Sequence, residues 1–173
     1  MSTDQPHPWL RGPVEGVPQE LQPVAHALIQ TREEVHEFTE GFPDELLWER
    51  VAGLAPVGFH LRHIRGVIDR LFTTAAQGAV GEEQRAQLKV ERRTSDQGVT
   101  VRELVQAVDG QIDTALEQLR ATNPSELYEA RAVGSKKLPS TVAGLLFHAA
   151  EHAQRHCGQL LVTTRVLLEE GRD

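Results

Sequence analysis

The chain has 173 residues, with 18 Lys and Arg against 25 Asp and Glu, a formal charge of −7 and one cysteine. That length supports one domain with a substantial core, and that charge argues against a general phosphate-backbone binder, which needs a basic face. No apolar run approaches the roughly 20 residues that cross a bilayer, and the lone Cys157 excludes an internal disulfide. The opening segment MSTDQPHPWLRG lacks the basic-then-apolar order of a secretory signal. The expected location is therefore a reducing cytoplasm.

Residues 1–19 carry Pro6, Pro8, Pro13 and Pro18 with Gly12 and Gly16, which predicts an extended proline-rich arm without a helix. Trp9 and Leu10 are its candidate anchors against the body or a neighbouring chain. Residues 20–173 are expected to form a single helical domain. Leu21, Val24, Ala25, Leu28, Val35 and Phe38 recur at three- and four-residue steps, a first amphipathic helix ended by Gly41-Phe42-Pro43. A second helix is expected from about Pro56 to Gly78, with Val57, Leu61, Ile64, Val67, Ile68, Leu71 and Phe72 on one side. Residues 79–99 are polar, with room for one short exposed helix.

A third main helix opens at Thr100, three residues before Glu103, the spacing of a capping box. Its stripe is Leu104, Val105, Val108, Ile112, Ala115 and Leu119, and Asn123-Pro124 closes it. Residues 122–138 read as a long connection, with Lys136-Lys137 a solvated pair. Ser140, after Pro139, is the expected N-cap of a fourth and longest helix ending near Gly171. Four amphipathic helices without a convincing strand pair predict an all-α, four-helix bundle with long crossover connections.

The last helix carries the most informative pattern, LLFHAAEHAQRHCGQLL. His148, His152 and His156 fall at four-residue steps, and each step moves only about 40° around an α-helix. The rings therefore leave nearly the same side, among Val142, Leu145, Ala149, Leu160 and Thr163. A lone histidine on an apolar face is usually a core residue bonded to backbone; three in series each need a partner once buried. Imidazole is a common metal donor, and a pair one turn apart can share an ion. A third donor is then required. His60 and His63 on the second helix offer it, lying about 60° and about 120° from the centre of the apolar stripe. Periodicity makes His60 the more buried, yet a ligand can sit at a stripe edge, so spacing leaves both open. His7, His26 and His36 show no such constellation and read as surface residues. Cys157 reads as a small buried apolar side chain.

The segment HAAEHAQRHCGQL, His148 to Leu160, resembles the C-terminal signature of the DinB/YfiT superfamily, a helix bearing H-x-x-x-H followed by G-Q and an aliphatic residue. Pro56-Val57-Gly58-Phe59-His60-Leu61-Arg62-His63-Ile64 looks like its second-helix motif, in which an aliphatic residue directly follows the ligand. The resemblance runs from about Leu21 onward. It implies a DinB-like bundle with a three-histidine metal site at His63, His152 and His156, and it selects His63 over His60. The pattern departs from many relatives in having Arg155-His156 where they have paired histidines, and in the extra His148. His148 or Gln159 would be outer-shell groups.

The resemblance further implies a divalent-metal enzyme, a thiol-dependent transferase or hydrolase acting on a small molecule with a low-molecular-weight thiol. Zinc or nickel leads as the ion, with iron or manganese as alternatives. Relatives are often dimeric, so a homodimer is expected, with neither nucleic acid nor membrane as partner. Glu151 and Asp69 lie close in sequence, but neither can be named as a base. The competing readings are a non-catalytic metal-binding or oligomerising bundle and a metal-free helical interaction protein.

Overall fold

The computed structural model describes residues 5–91, 93, 96 and 98–170. Five helices, α1 (Gln22–Thr39), α2 (Val57–Ala75), α3 (Glu82–Glu91), α4 (Val101–Ala121) and α5 (Val142–Glu170), are joined by short 3-10 turns and one hairpin. The protein is all-α in class. α1 and α2 each pack on both α4 and α5, while α3 lies against α2. Consecutive helices α1 and α2 are thus diagonal, as are α4 and α5, and each diagonal step requires a crossover. This gives the expected bundle with long crossover connections.

The apolar stripes meet in one core. Leu28 and Val35 of α1, Leu61, Ile64 and Ile68 of α2, Ile112 and Leu119 of α4, and Leu146 and Leu160 of α5 are all fully buried. Each contributes on the order of 1.5–3 kcal/mol by leaving water. Ala149, Ala150 and Ala153 keep the buried face of α5 thin, and the separation of packed helices depends on the side chains between them.

The helix termini follow their chemistry. Gly41, at φ +68°, and Pro43 end α1. Thr100 and Glu103 form the expected capping box, with Thr100 N donating to Glu103 Oε2 at 2.9 Å and Glu103 N to Thr100 Oγ1 at 3.2 Å. The cap of α5 is Thr141 rather than Ser140: Gly144 N donates to Thr141 Oγ1 at 3.0 Å. Ser140 is instead drawn into a strand. Gly171 lies outside the described residues.

The connection after α4 also departs from expectation. Ala130–Val133 (β1) and Leu138–Thr141 (β2) form an antiparallel hairpin, with Ala130 opposite Thr141 and Val133 opposite Leu138. Its strands are short and bury only Arg131, and Pro139 speaks against a strand at the sequence level. Gly134 and Lys137, both at positive φ, make the turn that holds the Lys136-Lys137 pair. The hairpin sits outside the core, anchored where buried Arg131 donates through Nε to the Ala75 carbonyl at 2.8 Å.

The proline-rich segment also carries a 3-10 turn at Pro8–Leu10. Pro8 and Val17 are its buried members, whereas Trp9 and Leu10 stay 62% and 55% exposed and do not anchor it to the body. Polar ties do so: Arg11 bonds Glu33 at 2.5 and 2.9 Å, and Gln22 reaches the backbone of Val14 and Val17. No helix of the described residues is long and apolar enough to cross a membrane.

Candidate metal centre

Between α2 and α5 the imidazoles of His63, His152 and His156 converge, each offering one nitrogen within 4.8 Å of the others. His63 Nε2 lies 3.0 Å from His152 Nε2. The ring centres of His152 and His156 are 4.9 Å apart and those of His63 and His156 4.5 Å. The convergence follows from local structure. His152 and His156 are one turn apart on α5, and Ile64 and Leu61 seat α2 so that the stripe edge carrying His63 faces them. Phe59, one turn before His63, stacks on its ring at 5.2 Å with an interplanar angle of 10°.

His60 occupies the more buried position that periodicity gave it, at 2% exposure. It does not take the place of His63. Its Nδ1 lies 3.0 Å from His156 Nδ1, so it meets the ring of His156 on the side away from Nε2. Burial is the main influence pushing His60 down to about 4, against a hydrogen bond to the Ala55 backbone that favours its charged form. Burial first, then His63 and His60, bring His156 to about 3. Burial, His63 and His148 also lower His152. His60, His152 and His156 are thereby held toward the neutral form, which keeps the lone pair that binds a metal.

The second nitrogen of His63 is held by a residue that sequence reading did not single out. Nδ1–H donates to Oε2 of Glu91 at 3.1 Å. Glu91, at the end of α3, is 3% exposed and also bonded by Arg70, one contact measuring 3.2 Å. Burial would raise its carboxyl, but the bonds from His63 and Arg70 outweigh this and hold it below the usual range. Space for it comes from Gly66, where an added Cβ would stand 1.9 Å from Glu91 Oε1. The only sequence trace of this arrangement is the run His63, Gly66, Arg70 along one side of α2.

Of the outer positions proposed from sequence, His148 lies beside the cluster, its ring meeting that of His152 edge-on with centres 5.3 Å apart. His148 is exposed and lies 3.3 Å from Glu151, which also pairs with Arg155. That arginine is the main reason the Glu151 carboxyl is lowered. His148, Glu151 and His152 form a second, more exposed group. Gln159 is exposed. The side chains that hydrogen-bond rings of the cluster from outside it are Glu91 and His60. Asp69 faces α3, where Gln84 Nε2 donates to it at 2.8 Å. His26 bonds the Gly12 carbonyl at 2.9 Å and His36 bonds Asp109 at 2.9 Å, both only partly exposed and both outside the cluster. Exposed His7 is likewise apart from it. Cys157 is fully buried, and burial raises its thiol. A cavity of about 450 Å³ between α2, α3 and α4 is lined by Leu61, Arg62, Val90, Glu91, Val99 and Leu104. It touches Glu91 but none of the cluster histidines.

Three observations test whether these residues fit a metal. Two nitrogens each about 2.1 Å from one ion stand about 3.0–3.4 Å apart for angles between a right angle and a tetrahedral one; His63 and His152 are already at that spacing. No cationic side chain bonds the three rings among the described residues. His152 Nδ1 is buried without a partner, so no hydrogen bond at that nitrogen fixes the tautomer of the ring, and its Nε2 is free to turn a lone pair to an ion. The residues fit.

An all-α bundle with a three-histidine cluster between two of its helices fits a class of metal-binding helical proteins. The family model of the DinB superfamily matches residues 27–160, and the chain belongs to that superfamily. No curated protein matches it.

Proposed function

We propose that the protein is a divalent-metal enzyme with His63, His152 and His156 as ligands, acting as a thiol-dependent transferase or hydrolase on a small molecule. The observation that supports this most is the meeting of three imidazoles from two helices within 4.8 Å. A divalent ion there supplies Lewis acidity toward a thiol or water, favouring the deprotonated nucleophile at neutral pH. The chain's part is positional: Phe59 and Glu91 hold His63, and His60 holds His156. His63 and His152 are only partly buried, which leaves a side open to a small substrate. Zinc or nickel suits an all-imidazole set, with iron or manganese as alternatives. A low-molecular-weight thiol as co-substrate, a homodimer and a cytoplasmic setting belong to the same reading.

A second reading has its own support. The three histidines come from both α2 and α5, so an ion would also clamp the main helix pair of the bundle. Chelation separates the two. A folded but inactive protein after EDTA supports catalysis, and a large loss of helix on chelation supports a clamp. Activity is screened with metal-loaded protein, small thiols and electrophilic or hydrolysable substrates. Thiol consumption that requires metal and vanishes in H152A supports the enzyme reading, and its absence across the screen counts against it.

A further inference from the structure

We infer that Glu91 is a positioning residue that fixes the tautomer of His63 and thereby couples the docking of α3 to metal occupancy, an inference that rests on the ligand set proposed above. α3 is a polar helix whose only buried residue is Glu91. A helix normally docks by its apolar face; this one is held by side-chain hydrogen bonds. Gln84 reaches Asp69 and Thr73, each at 2.8 Å, and Arg62 donates to the Val90 carbonyl at 3.3 Å. Glu91 completes the set through Arg70 and His63.

Burying a carboxylate is costly unless its oxygens are bonded. The glycine at position 66 brings the carboxylate close enough for both partners, at a cost in helix propensity of about 1 kcal/mol relative to alanine. Once there, the acceptor-only carboxylate selects one tautomer of the His63 ring. Nδ1 must carry the proton, and Nε2, facing His152, keeps the lone pair. The opposite tautomer would set a lone pair against the carboxylate and place a proton on the nitrogen that faces the cluster. Partners of this kind raise metal affinity by orienting the ligand, and their loss costs about 10–100-fold. Coupling of two binding equilibria is reciprocal. Whatever factor docked Glu91 adds to metal affinity, the ion returns to the docking of α3.

The test uses the full chain and zinc. Long-range proton–nitrogen spectra of metal-free, histidine-labelled protein read the tautomer of His63, competition with a chromophoric chelator reads zinc affinity, and hydrogen exchange reads the amides of residues 82–91. The expected results are an Nδ1–H form of His63 and slower exchange in α3 on adding zinc. Glu91→Met, which keeps the length but removes the acceptor, is expected to lose that tautomer, to bind zinc about 10–100-fold more weakly and to lose the zinc-dependent protection. Glu91→Gln, which restores an acceptor, is expected to recover the tautomer and most of the affinity. A wild-type His63 in the Nε2–H form would overturn the inference even if E91M failed to fold, as would unchanged α3 exchange on zinc binding. So would E91M with wild-type affinity. No zinc uptake by wild type, with His63 still in the Nδ1–H form, would instead overturn the ligand set and the coupling, and leave the positioning role standing.

Discussion

Glu91 Oε2 accepts from His63 Nδ1 at 3.1 Å, while the other nitrogen of the same ring lies 3.0 Å from His152 Nε2. One imidazole thus joins a buried carboxylate on α3 to the histidine pair of α5. The ring is fixed at both ends and stacked on Phe59, so little of its geometry is left to thermal motion. That arrangement makes the cluster sensitive to residues that never touch it.

Gly66→Ala is the clearest case. Alanine gains about 1 kcal/mol of helix propensity over glycine. Its Cβ, however, would stand 1.9 Å from Glu91 Oε1 and 2.8 Å from Cδ. Overpacking costs about 1–3 kcal/mol, and expelling the carboxylate also unpairs Arg70. We expect a net loss of about 1–2 kcal/mol in urea unfolding, together with weaker zinc binding. A stabilised variant with unaltered zinc affinity would show that the notch is dispensable.

Thr100→Ala probes the bundle without the cluster. It removes the capping box of α4, which costs about 1 kcal/mol. Thermal unfolding should shift by a few degrees, and zinc affinity should stay at the wild-type value. A change in affinity would mean that α4 is coupled to the site.

Acid should destabilise the metal-free protein. A histidine whose folded pKa lies below its unfolded value contributes fully above the unfolded value and loses that contribution as pH falls. For His60 and His156 the window runs from about 6.5 down to about 4 and about 3 respectively. Each proton taken up on unfolding adds a slope of at most about 1.4 kcal/mol per pH unit. Glu91, lowered by His63 and Arg70, acts in the same sense at the acid end. Urea midpoints between pH 7 and pH 4 should therefore fall, and His60→Phe should flatten the curve. A midpoint that rises on acidification would contradict the buried neutral assignment.

Cys157 should be inert in the folded chain. It is fully buried and its thiol is pushed up by burial, so little thiolate is present and none is accessible. Labelling by an alkylating reagent should wait on unfolding. Rapid native labelling would mean that α5 opens locally.

Much of this was legible in the sequence, for physical reasons that differ by element. The stripes of α1, α2, α4 and α5 are regular because each faces one core, and the capping box at Thr100 is a local motif that needs no tertiary context. His152 and His156 announce themselves by sharing one helix face. The hairpin was hidden because its four-residue strands bury only Arg131 and one contains Pro139. Thr141 takes the cap from Ser140 because β2 carries the chain one residue further. Glu91 was hidden most completely: in a polar helix one carboxylate resembles the next, and only the packing of α3 on Gly66 and Arg70 distinguishes it. The choice between His60 and His63 has a similar origin. Periodicity reports depth, which made His60 the more buried and left both open, whereas what the cluster brings together is three ring nitrogens at a stripe edge.

The most direct measurement is the metal content of untagged protein and its single-histidine variants, by elemental analysis after equilibration with zinc. One ion per chain is expected for wild type and for His26→Ala and His36→Ala, whose rings bond Gly12 and Asp109 away from the cluster. His63→Ala, His152→Ala and His156→Ala should each retain almost none while still folding. Equal metal content in all five variants, or none in folded wild type, would contradict the three-histidine centre.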